Sequence, residues 1–235
     1  MAPKIDRSKF MFRDKKGEQL VRRGGEINGL DFLIDGCEDC TIILADHTAQ
    51  VFVDYCVRCN IVIGPVNGSV MLRNCEDCVI TLLCGQLRTR DCRDCDVLVL
   101  VPGRPTIESS KNMRFGPVLE SYEGVLAQNE ESGLAKRLRE HPDPCRWRNV
   151  YDFSCGSHNP EHWSNLAHED AKKLNEELCT LAQGALGGGG KESLGAFARD
   201  RYEGEEGPTE NAAKAAPAAK ATPAAKATPA AQATP

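Results

Sequence analysis

A short cysteine motif recurs along the first half of this chain, and an apolar segment follows every copy. The four copies start 19, 19 and 17 residues apart, and they are Cys37-Glu-Asp-Cys40, Cys56-Val-Arg-Cys59, Cys75-Glu-Asp-Cys78 and Cys92-Arg-Asp-Cys95. The following residues alternate between apolar and other types with a period of two, which is typical of β-strands. Such short repeats contain no helix that could connect parallel strands, so the spacing predicts the stacked rungs of a parallel β-helix.

Aligning the repeats predicts which side chains face the core. One inward column contains Ile42, Ile61, Ile80 and Val97, and the next contains Leu44, Ile63, Leu82 and Val99. A second strand in each rung is expected to place Val51, Val70 and Leu87 inward. The last, partial rung is predicted at residues 110–115, where Ser110 and Met113 take the places of the two cysteines.

The cysteine pairs allow two interpretations. Paired CxxC motifs often bind zinc, because two thiolates from each pair complete a tetrahedral site. The favoured alternative is a stack of buried thiols, since each second cysteine lies two residues before an inward position and a reduced cysteine packs as a small hydrophobe. A further group, Cys145, Cys155, His158 and His162, has finger-like histidine spacing, but its cysteines are too far apart for a knuckle. Neighbouring aromatic residues favour a packed cap there, so we predict no metal site.

The composition changes along the chain and predicts four regions. Residues 1–26 are a lead-in, residues 27–166 form the β-helix domain with its cap, and residues 167–203 form a helical extension with a glycine-rich linker. Leu174, Leu178 and Leu181 give residues 167–183 the spacing of an amphipathic helix. In residues 204–235, proline recurs too often for a helix, so we expect a disordered Ala/Lys/Pro tail. The tail is interpreted as a solubilising segment or, alternatively, as a cationic tether to microtubules.

The overall charge and the absence of targeting segments exclude several functions. Thirty-four acidic and 29 basic side chains leave a net charge of -5, so no strong basic field attracts nucleic acid or anionic lipid. No apolar run approaches the ~18 residues of a membrane span, and no glycine follows Met1 as myristoylation requires. We therefore expect a cytoplasmic protein with no nucleic-acid partner and no direct membrane anchor. The sequence also lacks a GxxxxGK[ST] loop, so the chain is not expected to bind GTP itself.

The third rung differs from its neighbours on the outward face. Where the first two rungs carry Phe52 and Met71, the third carries Arg88, and Gln86 and Arg90 share its side because they lie two residues away on one strand. One outward column contains Asp54, Arg73, Arg90 and Glu108. Glu108 is thus expected beside Arg90, where a carboxylate can hold the arginines extended. The alternative is an ordinary surface salt bridge, worth about 0 to 1 kcal/mol.

Several segments occur in order between residues 10 and 166: Phe10-Met-Phe-Arg, Ile27-Asn-Gly-Leu-Asp-Phe32, the cysteine rungs, Gly64-Pro-Val-Asn-Gly-Ser69, Gln86-Leu-Arg-Thr-Arg-Asp-Cys92, Ile107-Glu-Ser-Ser110 and Trp147-Arg-Asn-Val-Tyr-Asp-Phe153. Together they resemble the cofactor C-like (tubulin-binding cofactor C) domain family, with its retinitis pigmentosa 2 branch as the better match. The resemblance implies an all-β fold, a right-handed parallel β-helix, followed here by the predicted C-terminal helix and disordered tail.

The resemblance also implies a function. By this resemblance, the chain is expected to be a GTPase activator that acts in trans on an Arf-like small GTPase or on tubulin, with GTP and Mg²⁺ on the partner and no cofactor of its own. By this resemblance, Arg88 matches the arginine finger and Gln86 its adjacent glutamine. Glu108 and Phe153 match positions that support the finger and contact the GTPase, and Arg90 lies beside them.

Two features depart from the family pattern. The family usually doubles the glutamine before the finger, whereas this chain has Gly85-Gln86, and residues 117–123 replace an aromatic segment. The expected location is the cytoplasm, at a cilium, a flagellum or the cytoskeleton. The alternative function is a non-catalytic adaptor of a cilium or microtubule assembly that uses the β-helix as a docking surface.

Overall fold

The computed structural model describes residues 6–141, 143, 146–156 and 158–197. The strands are β1 (Met11–Arg13), β2 (Gln19–Arg22), β3 (Phe32–Asp35), β4 (Thr41–Leu44), β5 (Val51–Asp54), β6 (Asn60–Arg73), β7 (Val79–Arg90), β8 (Asp96–Leu100), β9 (Thr106–Glu108), β10 (Met113–Gly116), β11 (Glu120–Tyr122), β12 (Tyr151–Asp152), β13 (Trp163–Asn165) and β14 (Lys191–Ser193). The helices are α1 (Val125–Ser132), α2 (Leu134–Glu140) and α3 (His168–Leu186), with short 3-10 turns at Arg7–Phe10 and Arg146–Arg148.

Twelve strands form one sheet in which successive repeats pair in parallel, and this pairing confirms the predicted parallel β-helix. The pairing register is the one that the sequence alignment predicts. Ile42 pairs with Ile61, Ile61 with Ile80, and Ile80 with Val97. These four side chains are essentially inaccessible to solvent, as are Val51, Val70 and Leu87 of the second column. The apolar columns therefore form a continuous core along the coil.

The eight cysteines of the repeated motif are buried free thiols that belong to this core. Each thiol that ends a motif lies near the carbonyl oxygen two residues earlier, at 3.2 Å for Cys78 and Glu76 and at 3.2 Å for Cys95 and Arg93. Within the described residues, none of these eight cysteines belongs to a group of three ligands close enough to share a metal ion. The arrangement agrees with the buried-thiol interpretation. In the rung after the fourth motif, the hydroxyl of Ser110 replaces a thiol and accepts a hydrogen bond from the Cys92 N–H at 3.2 Å.

The turns of the coil explain a second regularity of the repeats. Two backbone positions per turn adopt a left-handed conformation, with φ between 49° and 64°. The first position is held by Asp14, Gly36, Tyr55, Asn74, Asp91 and Ser109, and the second by Gly17, Asp39, Arg58, Asp77, Asp94 and Asn112. Asn, Asp and Gly tolerate this region best, which accounts for the aspartate or asparagine near most of the motifs.

The coil extends beyond the predicted rungs at both ends: β12 and β13 pair with β9 and β10 after the last predicted rung, and one further rung precedes the first motif. Strands β1 and β2 pair with β3 and β4, and Lys16 bridges to Glu38. This rung lies within residues 1–26, the predicted lead-in, and carries Lys15 and Glu18 where later rungs carry cysteines. It escapes detection because it lies at the end of the coil, where these polar side chains remain partly or fully exposed.

A helical layer covers one outer surface of the coil. A second apolar cluster joins the coil to this layer. The coil contributes Ile43, Val62, Leu83 and Leu98, and α3 contributes Ala171, Leu178, Ala182 and Ala185. Helix α3 confirms the predicted C-terminal helix and continues to Leu186, three residues beyond the predicted end. Asn175 attaches α3 to the coil, because its Nδ2 donates to the carbonyl oxygen of Pro117 at 3.0 Å and its Oδ1 accepts from the N–H of Leu119 at 2.8 Å.

Two further features of the helical layer differ from expectation. Helices α1 and α2 are absent from the sequence prediction, since each is short and each is preceded by a left-handed glycine, Gly124 or Gly133. The glycine run at 187–190, expected as a linker, ends α3 and returns the chain to β14, which pairs with β11. The N–H of Gly190 donates to the Glu123 carboxylate at 2.7 Å.

Residues 204–235 and Cys145 lie outside the described residues. No helix in the described ranges is long and apolar enough to cross a membrane.

Candidate functional site

The outward surface of β6, β7, β9 and β12 brings together the residues predicted to act on a partner. One row across these strands is Met71, Arg88, Thr106 and Tyr151, and the next is Arg73, Arg90 and Glu108. Phe153 extends the second row, because its N–H donates to the carbonyl oxygen of Ile107 at 2.9 Å. We call the exposed surface formed by Gln86, Arg88, Arg90, Glu108, Tyr151 and Phe153 the arginine face.

Arg88 projects from the centre of this face. Its neighbours on the strand, Leu87 and Thr89, are buried, so their packing holds the backbone while the Arg88 side chain points into solvent. No carboxylate of the described residues forms an ion pair with Arg88. Other exposed arginines of the coil are paired: Arg73 Nε lies 2.7 Å from Asp54 Oδ1, and Arg114 Nε lies 2.6 Å from Asp96 Oδ1. The guanidinium of Arg88 is therefore available to another molecule.

Gln86 lies two residues before Arg88 on the same side of β7. Its amide oxygen accepts a hydrogen bond from the Ser69 hydroxyl at 3.3 Å. Because that contact uses the acceptor, the amide NH₂ group can donate to a partner. Strand β7 thus presents two hydrogen-bond donors two residues apart: the charged guanidinium of Arg88 and the neutral amide of Gln86.

Glu108 occupies the predicted position beside Arg90 but does not make the expected contacts. The Cα register pairs the two residues, yet Arg90 Nε lies 3.3 Å from the carboxylate of Asp91. Across the described part of the chain, Glu108 forms no ion pair with Arg88 or Arg90. Asp91 competes with Glu108 for Arg90 because Asp91 is the next residue in the chain. The alignment of outward columns does not include such contacts between chain neighbours. Within the described ranges, a supporting contact from Glu108 to Arg88 is therefore absent.

Two exposed aromatic side chains border the arginines. Phe153 is 56% exposed and Tyr151 is 38% exposed, and their ring centroids lie 4.8 Å apart with the rings nearly perpendicular. The guanidinium of Arg104 lies 5.3 Å from the Tyr151 centroid, and its Nε donates to the Asn149 carbonyl at 2.9 Å. The sequence analysis missed Tyr151, although the rule that alternate strand residues share a side applies to it. No sequence signal indicates Arg104.

Gly85, which replaces the first glutamine of the family pattern, lies under the side chain of Arg137 from α2. Arg137 Nη2 donates to the Gly85 carbonyl at 3.3 Å, and its Nη1 donates to the Asn67 carbonyl of the adjacent strand. A Cβ at position 85 would lie 2.7 Å from Arg137 Cζ. A side chain is therefore excluded at this position while Arg137 holds both strands, and the departure from the family pattern has a steric reason.

We expect Gly85→Ala to lower the free energy of unfolding by about 1 to 3 kcal/mol, the usual cost of overpacking. The added methyl group would overlap both the Arg137 guanidinium and the Asn67 carbonyl oxygen. Urea denaturation followed by circular dichroism measures the change. Adding Arg137→Ala should recover only part of the loss, because the Asn67 carbonyl belongs to the backbone. Gly103→Ala is the matched control, since a Cβ at Gly103 meets nothing within 4 Å. An equal cost at both glycines would contradict the steric explanation.

Comparison with known proteins supports one family assignment. The profile of the family described as tubulin binding cofactor C matches residues 29–153, more than half of the chain. Protein XRP2 from Homo sapiens is 40% identical over 168 residues, which are 72% of this chain and 46% of that protein. Tubulin-folding cofactor C from Arabidopsis thaliana is 30% identical over 165 residues, 69% of this chain and 46% of that protein.

Two further similarities are with an animal relative and a solved structure. Protein XRP2 from Danio rerio is 38% identical over 172 residues, which are 73% of this chain and 44% of that protein. The solved structure, Tubulin Binding Cofactor C from Leishmania major, is 23% identical with a TM-score of 0.45, and the match covers 68% of this chain and 90% of that one. The chain spans less than half the length of the curated relatives named here.

Proposed function

This chain belongs to the tubulin binding cofactor C family, and we propose that it is a GTPase activator that inserts Arg88 into the nucleotide site of a partner. The observation that carries the proposal is the exposed guanidinium of Arg88 on a rigid strand, without a carboxylate partner among the described residues. An arginine already held in an ion pair would have to break that pair before it could bind phosphate. As far as the described residues go, Arg88 has no such contact to lose.

The chemistry of phosphoryl transfer explains why an arginine from outside accelerates the reaction. As the γ-phosphoryl group leaves, negative charge is spread over its three equatorial oxygens and builds up on the leaving bridging oxygen. A guanidinium is permanently charged and offers planar, paired donors to these oxygens, whereas lysine offers a point charge. Arginines supplied in trans contribute roughly 10³- to 10⁵-fold in rate, which corresponds to about 4 to 7 kcal/mol. The chain acts on the partner's GTP and Mg²⁺ and is not itself the hydrolase.

The remaining residues of the arginine face have supporting roles in this proposal. The amide NH₂ of Gln86 donates to the nucleotide or to the partner's water-positioning residue. Glu108 lies one strand away from Arg88 and Arg90 and can turn toward either when a partner excludes water. Phe153 and Tyr151 supply apolar area at the edge of the face, where aromatic residues typically anchor protein interfaces. The partner is an Arf-like small GTPase or tubulin, and the corresponding location is the cytoplasm, at a cilium or the cytoskeleton.

The proposal is tested by single-turnover GTP hydrolysis with a panel of purified Arf-like GTPases and with tubulin, in the presence and absence of this chain. We expect saturating chain to accelerate hydrolysis by about 10³- to 10⁵-fold for at least one member of the panel. The same partner should bind the chain more tightly when it carries GDP with aluminium fluoride, a mimic of the transition state, than when it carries GDP alone. No acceleration from any member of the panel would contradict the proposal.

An adaptor is the second candidate, and the exposed pair of Tyr151 and Phe153 favours it, since exposed aromatic clusters mark binding surfaces. An adaptor would bind its partner equally well in the GTP and transition-state-mimic forms and would not change the hydrolysis rate. The same panel therefore separates the two candidates. The tether predicted for residues 204–235 stays a prediction, because those residues lie outside the described ranges.

A further inference from the structure

Three potential metal ligands converge beside the arginine face. They are Asp152 at the end of β12, Cys155 in the turn that follows, and His162 directly before β13. Asp152 Oδ2 lies 2.6 Å from His162 Nδ1 and 3.2 Å from Cys155 Sγ, and Cys155 Sγ lies 4.0 Å from His162 Nδ1. Among the described residues, this is the single group of three or more His, Cys, Asp or Glu side chains whose ligand atoms lie this close together.

The β-helix holds two of these three residues on its last rung. Asp152 is in register with Ile107 of β9, and the His162 carbonyl accepts a hydrogen bond from the Met113 N–H at 2.9 Å. The turn between them is closed by the Gly156 N–H, which donates to the Asp152 carbonyl at 2.9 Å. The ligand atoms are therefore positioned by backbone contacts that do not depend on an ion, and little ordering remains when one binds.

The Asp152 side chain is arranged to offer one oxygen to the cluster. Its carboxylate is 1% exposed, Oδ1 accepts from the Ser154 N–H at 2.7 Å, and Oδ2 faces the other two ligands. Burial raises the pKa of Asp152, but hydrogen bonds from His162, Ser154 and Cys155 outweigh burial and lower the pKa below its usual range. The oxygen that faces the cluster thus carries negative charge at neutral pH.

We propose that Asp152, Cys155 and His162 form a binding site for a divalent transition-metal ion of the zinc class, with water as the fourth ligand. Bonds of about 2.0 to 2.3 Å to a tetrahedral zinc ion place neighbouring ligand atoms about 3.3 to 3.6 Å apart. The three observed separations, 2.6, 3.2 and 4.0 Å, lie on both sides of that range. Binding would therefore change these separations by roughly 0.4 to 0.7 Å.

The ligand chemistry selects the class of metal. A thiolate and an imidazole suit zinc and its transition-metal neighbours, whereas calcium and magnesium take oxygen ligands almost exclusively. Binding releases the Cys155 thiol proton and requires the His162 tautomer with its proton on Nε2, so the contact between His162 Nδ1 and Asp152 Oδ2 is replaced by bonds from both atoms to the ion. Cys155 lies at the exposed side of the cluster, which provides a path for the ion.

The site differs from the finger-like group considered from the sequence, and the proposal departs from the prediction of no metal. Asp152 was not part of that group. His158 is not in the cluster, and its ring packs against Trp163 with centroids 4.5 Å apart. The ion would join the end of β12 to the start of β13 and would fix the turn that follows Phe153. Its presence would thereby make the aromatic edge of the arginine face more rigid.

The experiment uses the full chain, stripped of metal by a chelator and kept reduced, and titrates it with Co²⁺ as a spectroscopic probe. We expect one Co²⁺ per chain, visible d–d bands of a tetrahedral ion, and a near-ultraviolet thiolate-to-cobalt charge-transfer band. One equivalent of Zn²⁺ should remove all these signals. Cys155→Ser should abolish the charge-transfer band, and His162→Gln should weaken binding by more than the roughly 10- to 100-fold typical of losing an outer-shell contact.

Two matched variants keep the result interpretable. Cys179→Ser removes a different cysteine, and His158→Gln removes a neighbouring histidine, so both should bind Co²⁺ like the unmodified chain. Circular dichroism on each metal-free variant confirms that the β-helix is folded. The proposal is overturned if the folded chain binds less than one equivalent, or if Cys155→Ser keeps the charge-transfer band. Equal weakening by Cys179→Ser would also overturn it, because the buried thiols would then be responsible.

Discussion

Replacing Arg88 with alanine is expected to reduce the stimulated GTP hydrolysis rate by about 10³- to 10⁵-fold, while the chain remains folded. The side chain is exposed and makes no ion pair within the described residues, so its removal takes no packing or charge contact from the β-helix. Arg88→Lys should recover little of the rate, because an ammonium group cannot bind two phosphate oxygens in the planar geometry of a guanidinium. Single-turnover hydrolysis at saturating concentrations of each variant measures this effect.

Arg93→Ala is the matched control for this prediction. Arg93 is also exposed, but it lies in the turn column of the coil and pairs with Glu76. Its loss should leave the hydrolysis rate unchanged and cost at most about 1 kcal/mol of stability, as for other surface ion pairs. A full rate from Arg88→Ala, or an equal fall from Arg93→Ala, would exclude Arg88 as the group that acts on the nucleotide. Partner binding measured on Arg88→Ala then shows whether a docking function remains.

The second large effect concerns the core of the coil. Ile80→Ala is expected to lower the free energy of unfolding by about 2 to 5 kcal/mol, the range for removing a large buried aliphatic side chain. Ile80 is fully buried and pairs with Ile61 on one side and Val97 on the other, so the cavity would interrupt the column in the middle. The expected loss is a large fraction of the total free energy of unfolding of a folded protein, which is typically about 5 to 15 kcal/mol. Urea denaturation followed by circular dichroism measures it.

Val57→Ala provides the comparison for the core substitution. Val57 is aliphatic like Ile80, but it lies half-exposed in the turn column between Glu38 and Glu76. Its truncation should cost well under half as much, because solvent already reaches the side chain. Similar costs for the two variants would mean that the inward column does not dominate the stability of the coil. Cys75→Ala would not distinguish a buried from a half-exposed position, because truncating a cysteine removes little volume.

Periodicity in the sequence was sufficient to predict the coil and its main exposed arginine. The spacing of the cysteine motifs specifies which residues stack, and the observed pairs of Ile61 with Ile80 and of Met71 with Arg88 follow from it. The spacing predicts these pairs because each rung of a parallel coil contacts only the rungs next to it, so the pairing register follows from the length of one repeat. The first rung lacks the motif, and it was missed for that reason.

Contacts that do not follow the repeat could not be predicted in this way. The reason for glycine at position 85 is Arg137, 52 residues later, on a helix that the sequence pattern did not reveal. The pairing of Arg90 with Asp91 in preference to Glu108 depends on side-chain torsions that column alignment ignores. The cluster of Asp152, Cys155 and His162 depends on how a turn folds against the last rung, and spacing alone suggested different ligands.

The amino-acid sequence by itself therefore determined the stacked architecture, the inward columns and the side of the coil from which Arg88 projects, because each depends on a short repeat. Only the tertiary structure decided which charged groups pair, why Gly85 has no room for a side chain, and where three metal ligands meet. These depend on side-chain torsions and on how turns and helices pack against the coil, and the repeat specifies neither.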